Sequence, residues 1–238
     1  MIRRIILLLC SLAICLSISS CIDGKEEIWL NADGSGKAEF HYQIPATAAS
    51  FKGGADGIDA MLADLLKNQP EATHSAVSEN GRVSIAVSLP FKSADDLKSL
   101  ATLKDSGSMP DSFKYFAGKI DFAQSGRTIS VSRTVDPGKA LPGSGFYPKS
   151  QLKNHQLSYI VHLPLAATES NATRTEDAGK TLIWEVPLAK ALRAPITTRF
   201  KAIIPIPGWL IGIAIGAGVA ALAIVFLIVR ALKKRRKG

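Results

Sequence analysis

The stretch Lys37-Ala38-Glu39-Phe40-His41-Tyr42-Gln43-Ile44 alternates between polar and apolar residues at every position. Successive side chains of a β-strand point to opposite faces, so this pattern predicts a strand with one face in a hydrophobic core and the other in water. The same alternation recurs in later segments that start at Val83, Ile129, Leu157 and Leu182. Strands of this kind are typical of antiparallel sheets with one solvated face.

Short turn sequences precede most of these strands, and each contains a glycine beside polar residues that favour tight turns. They are Asp33-Gly34-Ser35-Gly36, Glu79-Asn80-Gly81-Arg82, Gln124-Ser125-Gly126-Arg127 and Glu176-Asp177-Ala178-Gly179. Turns this short join neighbouring strands in antiparallel pairs. We therefore expect a meander of eight or nine strands rather than a Rossmann-type unit of alternating strands and helices.

Two segments interrupt the strands with helical features. In the first, apolar residues recur at helical spacing and form one stripe, which consists of Ile58, Met61, Leu62, Leu65 and Leu66. The second begins at Ser93, a residue type that caps helix N-termini, and continues towards Ala101. Both stripes are expected to cover the apolar face of the sheet. The predicted fold class is thus α+β, with a curved, mostly antiparallel sheet packed on two helices.

The N-terminal segment, residues 1–20, has the pattern of a secretory signal. Two arginines precede an apolar run from Ile5 to Ile18, which is too short to span a membrane comfortably as a helix. The run ends in Ile18-Ser19-Ser20-Cys21, which is similar to the lipobox of bacterial lipoproteins. We therefore expect Cys21 to be lipidated after cleavage. Cleavage nearby by ordinary signal peptidase is the alternative, and it would leave Cys21 as an unmodified thiol.

The C-terminal segment has the pattern of a membrane anchor. Residues 209–229 carry no charge, and at about 1.5 Å per residue a helix of this length crosses a hydrocarbon layer of about 30 Å. A transmembrane helix is predicted over residues 208–230. The basic tail, residues 231–238, is predicted to be cytoplasmic, because positive charge stays on that side. Residues 21–207 would then form an extracytoplasmic domain at the cytoplasmic membrane.

The net charge of +9 belongs to these end segments and not to the domain. The ends hold eight of the 29 basic residues, so the rest of the chain has 21 basic residues against 20 acidic ones. A near-neutral domain lacks the electrostatic footprint of a nucleic-acid-binding protein. The expected partner is the membrane, and nucleic acid is excluded as a partner.

Two groups of residues are candidates for binding. The helical stripe of Ile58, Met61, Leu62 and Leu65 could face an apolar ligand, together with Phe146 and Tyr147 in the Pro- and Gly-rich loop 136–150. The same two aromatics could instead pin that loop to the core. In the C-terminal segment, a row of small residues could bring helices together into a homo-oligomer or against another membrane protein, and this row is Gly208, Gly212 and Gly216.

Catalytic and metal-binding patterns were sought as well. The four histidines show no metal-ligand spacing with each other, with Cys or with carboxylates. Gly143-Ser144-Gly145 lacks the spacing of a nucleophile elbow, and the glycines at 34 and 36 belong to a hairpin and not to a phosphate loop. We expect no enzyme activity, no cofactor and no metal. A hydrolase with a dispersed site stays open as an alternative.

Several features follow one another along most of the chain: the lipobox Cys21, an early strand with its Asp33-Gly34-Ser35-Gly36 turn, the late strand Gly179-Lys180-Thr181-Leu182-Ile183-Trp184-Glu185-Val186-Pro187-Leu188, and the apolar C-terminal segment with its basic tail. This layout resembles the LppM-like family of bacterial membrane lipoproteins. The resemblance implies an envelope domain whose curved sheet shelters an apolar ligand, such as a lipid or glycolipid. It supplies no catalytic residues.

The resulting hypothesis is a non-enzymatic, membrane-anchored lipoprotein domain that binds a lipid, a glycolipid or another envelope component. The alternative is a structural module that assembles with other membrane proteins.

Overall fold

The computed structural model describes residues 23–93, 115, 118–140 and 152–205. Its strands are β1 (Asp23–Leu30), β2 (Gly36–Pro45), β3 (Thr73–Glu79), β4 (Arg82–Phe91), β5 (Lys119–Ser125), β6 (Thr128–Val135), β7 (Gln156–His162), β8 (Ala167–Ser170), β9 (Arg174–Glu176), β10 (Thr181–Pro187) and β11 (Ile196–Ile203). The helices are α1 (Ala46–Ser50), α2 (Gly54–Leu66), α3 (Pro137–Ala140) and α4 (Leu188–Ala191), and a 3₁₀ turn covers Asp177–Gly179.

The strands form two sheets, and the predicted α+β class with a single sheet was wrong. The large sheet has seven strands in the order β3-β4-β2-β1-β7-β10-β9, and the small sheet has four in the order β5-β6-β11-β8. Alternation along a strand reveals that one face is buried, but it does not reveal which sheet the strand joins. The described domain is mostly β, since three of its four α-helices contain five residues or fewer.

Antiparallel pairing dominates both sheets, as the sequence predicted. The exception is the pair β1–β7, which is parallel with Glu26 opposite Tyr159. The predicted turns after Asp33, Glu79 and Gln124 are confirmed as the connections β1–β2, β3–β4 and β5–β6. In the β3–β4 turn, Asn80 and Gly81 both have positive φ, at 50° and 74°. This backbone favours the Asn-Gly pair because glycine and asparagine tolerate it best.

The two sheets pack face to face around the larger core. Its members alternate along the strands and include Leu157, Tyr159 and Val161 of β7, Leu182 and Trp184 of β10, and Phe200 and Ala202 of β11. Strands β6 and β11 add Val135 and Ile196. The small sheet thus covers much of the apolar face that the sequence analysis had assigned to two helices, because burial requires an apolar partner layer of either kind.

A second, smaller core lies at the other end of the same face of the large sheet. There Ile58 and Leu62 of α2 pack with Ala49 of α1 and Val83 of β4. This helix confirms the first predicted apolar stripe. The second predicted helix, after Ser93, falls on residues outside the described part of the chain.

No helix in the described ranges is both long and apolar enough to cross a membrane. The segments 1–20, 208–230 and 231–238 lie outside those ranges, so their assignments stay predictions from the sequence.

The chain enters and leaves the sandwich at opposite ends. Strand β1 begins at Asp23, beside the start of β7 and the end of β10, where Pro187 pairs with Gln156. Helix α4 then leads directly into the start of β11. Strand β11 runs away from that end and finishes where Ala202 pairs with Ala167, shortly after β7 has ended. Eight residues of strand separate the two ends by about 26 Å.

Candidate functional site

A buried ion pair joins the two sheets. Glu26 of β1 is 3% exposed and lies among the apolar inward-facing residues of the large sheet. Arg133 reaches it from β6 and donates hydrogen bonds to both carboxylate oxygens, one from Nη1 and one from Nη2 at 3.2 Å. The Tyr42 hydroxyl donates to Glu26 Oε1, and the Arg133 guanidinium lies 5.5 Å from the centroid of the Tyr159 ring.

The pKa values of the three groups around Glu26 are raised. Burial raises the pKa of Tyr42 well above its ordinary value, and the negative charge of Glu26 adds to the effect. Burial and Glu26 likewise raise the pKa of Tyr159. Burial opposes the charge on Arg133, but Glu26 outweighs it and raises the pKa of the guanidinium further. Groups that hold their protons this firmly make a fixed polar link and not an acid–base pair.

A second polar group lies on the outer face of the large sheet, where Lys37, Trp29 and His162 are neighbours on three adjacent strands. The indole and imidazole rings stack with centroids 5.1 Å apart and planes inclined by 9°. Lys37 Nζ lies 4.6 Å from the centroid of the Trp29 ring. His162 Nε2 is 2.8 Å from Glu27 Oε1, and its Nδ1 is 3.1 Å from Thr181 Oγ1.

The order carboxylate, imidazole, hydroxyl in Glu27, His162 and Thr181 is that of a catalytic triad, but the hydrogen-bond directions do not fit one. Thr181 donates its hydroxyl proton to Asp177 Oδ2 at 2.5 Å. Its Oγ1 therefore accepts a hydrogen bond from the imidazole of His162. In a catalytic triad the hydroxyl of the nucleophile would instead donate its proton to the imidazole. Thr181 is also only 4% exposed, so a substrate cannot reach it. The group has a structural role.

Two carboxylates of this outer face, Glu27 and Glu39, have pKa values below the ordinary one. Partial burial raises the pKa of Glu27, but the hydrogen bonds and charges of Lys25 and His162 outweigh burial and bring the pKa below its ordinary value of 4.5. For Glu39, the hydrogen bond from Lys37 is the main reason that the pKa lies below 4.5, and His41 contributes as well.

Each of the four histidines has a carboxylate neighbour, which the sequence analysis did not foresee. His155 Nδ1 lies 2.9 Å from both oxygens of Asp23, and His74 Nδ1 lies 2.9 Å from Asp59 Oδ1. His41 is 3.7 Å from Glu39. His155 and Asp23 are 132 residues apart in the chain, and parallel pairing of β1 with β7 brings them together. No local spacing could have indicated such a contact.

A polar groove of about 470 Å³ runs along β8 and β11 of the small sheet. It is lined by Thr168, Glu169, Ser170, Arg199, Phe200 and Lys201. Lys201 Nζ is 2.9 Å from Glu169. Arg199 is exposed, and its guanidinium has no hydrogen-bond or ion-pair partner in the part of the chain that the structure describes. A free guanidinium beside hydroxyl groups can bind a phosphate or carboxylate through paired hydrogen bonds.

The residues that the sequence singled out for binding do not line this groove. Ile58 and Leu62 are 3% and 4% exposed and belong to the core between α2 and the sheet, and Met61 and Leu65 are half-buried. Six other candidates lie outside the described residues, and their roles stay predictions: Cys21, Phe146, Tyr147, Gly208, Gly212 and Gly216. The sequence analysis missed the groove because an exposed arginine such as Arg199 is ordinary on the polar face of a strand. The other residues that line the groove come from β8 and β11, which lie far apart in the sequence.

No family model matches the chain, and no curated protein matches it. Among solved structures, the fold is similar to the NMR structure of the folded domain of the Mycobacterium tuberculosis LppM protein. The TM-score is 0.54 at 13% sequence identity, and the alignment covers 79% of this chain and 93% of that chain. The resemblance identified from the sequence is thereby confirmed at the level of the fold, and at this identity the similarity concerns the fold alone.

Proposed function

We propose that this chain is an LppM-like envelope lipoprotein whose β domain binds a lipid, a glycolipid or another envelope component without catalysing a reaction. The observation that carries the proposal is the similarity of fold to the LppM domain across 79% of the chain. The lipobox pattern at Cys21 supports the proposal as well. The first strand begins only two residues later, at Asp23, so a lipid on Cys21 would be attached directly beside the folded domain. A lipid on Cys21 would hold the domain on the outer side of the cytoplasmic membrane.

The absence of catalysis is proposed from the two polar groups of the large sheet. Glu26 raises the pKa of Arg133, which therefore keeps its proton, and the hydroxyl of Thr181 donates its proton to Asp177 and not to His162. Both arrangements favour a binding protein over a hydrolase.

The groove along β8 and β11 is the proposed site for the polar part of the ligand. Its volume of about 470 Å³ is within the range of ligand sites, but Phe200 is the one apolar side chain in its lining. Acyl chains would therefore gain little there, and an anionic headgroup beside Arg199 fits better. The predicted apolar face on α2 is a second place for the ligand only if the helix moves, because Ile58 and Leu62 are already packed.

Native mass spectrometry with lipid extraction, on the protein purified from its own membrane, tests this function. An acyl mass on the peptide that contains Cys21 and a lipid that co-purifies with the protein would support it. An unmodified N-terminus and a protein free of lipid would contradict it.

The groove is tested with Arg199→Thr in the same full-length protein. We expect the co-purifying lipid to fall about fivefold, because one charged hydrogen-bonding group is lost. The matched control is Arg193→Thr, which removes an exposed arginine just ahead of β11 and outside the groove. Equal retention of lipid in both variants would place the ligand elsewhere.

A structural module that assembles with membrane proteins is the second candidate. It is favoured by β3, which ends the large sheet and exposes 49% of Val77. A free strand edge can pair with another chain. This candidate expects an oligomer or partner that survives mild detergent and is lost in Val77→Lys. If Gly212→Ile and Gly216→Ile abolish assembly instead, the glycine row and not the strand edge is responsible.

A further inference from the structure

The turn between α1 and α2 exposes an aromatic residue to an unusual degree. Phe51 is 89% exposed and belongs to neither of the two apolar cores. Lys52 follows it and is exposed as well. Single exposed apolar residues are common on proteins. What distinguishes this one is its position in the fold and the way its turn is built.

The turn holds Phe51 outward through its backbone. The Lys52 amide donates to the Ala49 carbonyl at 2.8 Å, and the Gly53 amide donates to the Ser50 carbonyl at 3.1 Å. Gly53 and Gly54 have φ values of 84° and 73°, which L side chains rarely adopt. A Cβ on Gly57 would overlap the Lys52 carbonyl. The turn is therefore tight and specified by its glycines, and little conformational entropy is lost when Phe51 makes a contact.

The topology places this turn at the end of the domain where the chain begins. Asp23, the first residue of β1, pairs with Gln43 near the end of β2. Helix α1 follows β2 directly, and the Ala46 amide donates to the Gly81 carbonyl in the neighbouring β3–β4 turn. Helix α2 then runs back along the sheet. Phe51 thus projects from the same end of the domain as Asp23. In the sequence, Asp23 comes two residues after Cys21.

From this juxtaposition we infer that Phe51 inserts into the headgroup region of the membrane to which Cys21 is attached. The inference rests on the proposed lipoprotein function. A lipid on Cys21 restrains the chain at this end, and an aromatic side chain at the same end adds a contact with the membrane interface. Aromatic rings favour that interface, and the stem of a lysine at position 52 can extend its ammonium towards the phosphates.

The test is fluorescence quenching on the full-length protein in vesicles of phosphatidylcholine brominated near the headgroup. The variant Phe51→Trp introduces the probe, and emission of the unsubstituted protein is subtracted. The matched control is Ile120→Trp, since Ile120 is 39% exposed on β5, an edge strand of the small sheet. We expect brominated lipid to remove roughly half of the emission added at position 51 and to leave that at position 120 unchanged.

Each other result overturns the inference. Unquenched emission at position 51 shows that the residue stays in water, and a blue shift there that depends on protein concentration shows a protein contact instead. Circular dichroism confirms that each variant folds. The N-terminal peptide of the same sample is analysed by mass spectrometry, so that the two proposals fail separately. Acylated Cys21 with an unquenched probe refutes the insertion alone, and an unmodified Cys21 refutes the lipoprotein function.

Discussion

Asn171 connects the two sheets with a single side chain. Its Oδ1 accepts hydrogen bonds from Trp184 Nε1 at 2.9 Å and from the Arg199 amide at 2.7 Å, and its Nδ2 donates to the Thr197 carbonyl at 2.8 Å. The residue also starts the sequence Asn171-Ala172-Thr173, which has the pattern of a glycosylation acceptor. In the folded protein the amide nitrogen is engaged by the backbone of β11, which supports the view that this pattern is coincidental.

Replacement of Asn171 by alanine should destabilise the domain by about 2 kcal/mol, because the indole N–H of Trp184 loses its partner in a buried position. Urea unfolding followed by circular dichroism measures the change. The control is Asn31→Ala, which removes one exposed hydrogen bond to Ser35. Its midpoint should stay close to that of the unsubstituted protein, and equal losses in both variants would contradict the bridging role.

The ion pair of Glu26 and Arg133 gives a second prediction at this scale. Glu26→Gln removes the negative charge that the buried guanidinium of Arg133 faces at this position, which should cost about 3 kcal/mol. The double variant Glu26→Leu with Arg133→Met removes both charges and should recover most of that loss, since apolar pairs of similar size often replace a buried ion pair. Urea unfolding of both variants provides the comparison. A double variant as unstable as the single one would show that the pair itself stabilises the sheets.

Side-chain environments were only partly predictable from the sequence. His41 falls at a polar position of the alternating stretch 37–44, and it does lie on a solvated face, with 53% of its side chain exposed. His162 also falls at a polar position of its strand, yet it stacks on Trp29 and contacts Glu27. Alternation assigns a residue to a face, but the neighbours on that face come from strands far away in the chain. For the same reason Arg133, at an apolar-facing position of β6, gave no sign of its partner.

The outer face of the large sheet should make the domain sensitive to acid. The pKa values of Glu27 and Glu39 in the folded state lie below the ordinary value of 4.5. As the pH falls below about 4.5, the unfolded chain therefore binds more protons at these two carboxylates than the folded domain does. Their contribution to the free energy of unfolding is complete above that pH, and it is lost as the pH falls to the pKa values of the folded state.

The double variant Glu27→Gln with Glu39→Gln should thus lose less stability between pH 7 and about pH 3.5 than the unsubstituted protein does. Urea unfolding at a series of pH values gives the two curves. If they fall in parallel over this interval, the ion pairs with Lys25 and Lys37 do not contribute to the acid response.

Single elements were more predictable than the way they combine. The strands β2, β4, β6, β7 and β10 and the helix α2 appear where periodicity placed them. The strand β11 was missed as a separate element, although Ile196, Phe200 and Ala202 all face the core. The division into two sheets was missed for a physical reason: strands of both sheets bury one face and expose the other, so their sequences carry the same signal.

At the scale of the whole molecule, amide hydrogen exchange should follow the order of strands within the sheets. Strands β1 and β7 lie in the middle of the large sheet, and β7 supplies much of the larger core together with its neighbour β10, so the amides of these strands should exchange slowest. The edge strands β3, β5, β8 and β9 should exchange fastest among the strands. Exchange of the full-length protein followed by mass spectrometry tests this gradient. Protection of β3 equal to that of β7 would contradict it.

The positions of Asp23 and Ile203, the outer ends of β1 and β11, determine how the domain responds to a pulling force. Tension applied between Asp23 and Ile203 acts along the strands, because β1 begins at one end of the sandwich and β11 finishes at the other. The hydrogen bonds of β1 to β2 and β7 are then loaded in shear, all together, and do not open one after another as they would in unzipping. A domain with this geometry resists extension, and it can carry mechanical load between whatever its two ends are attached to.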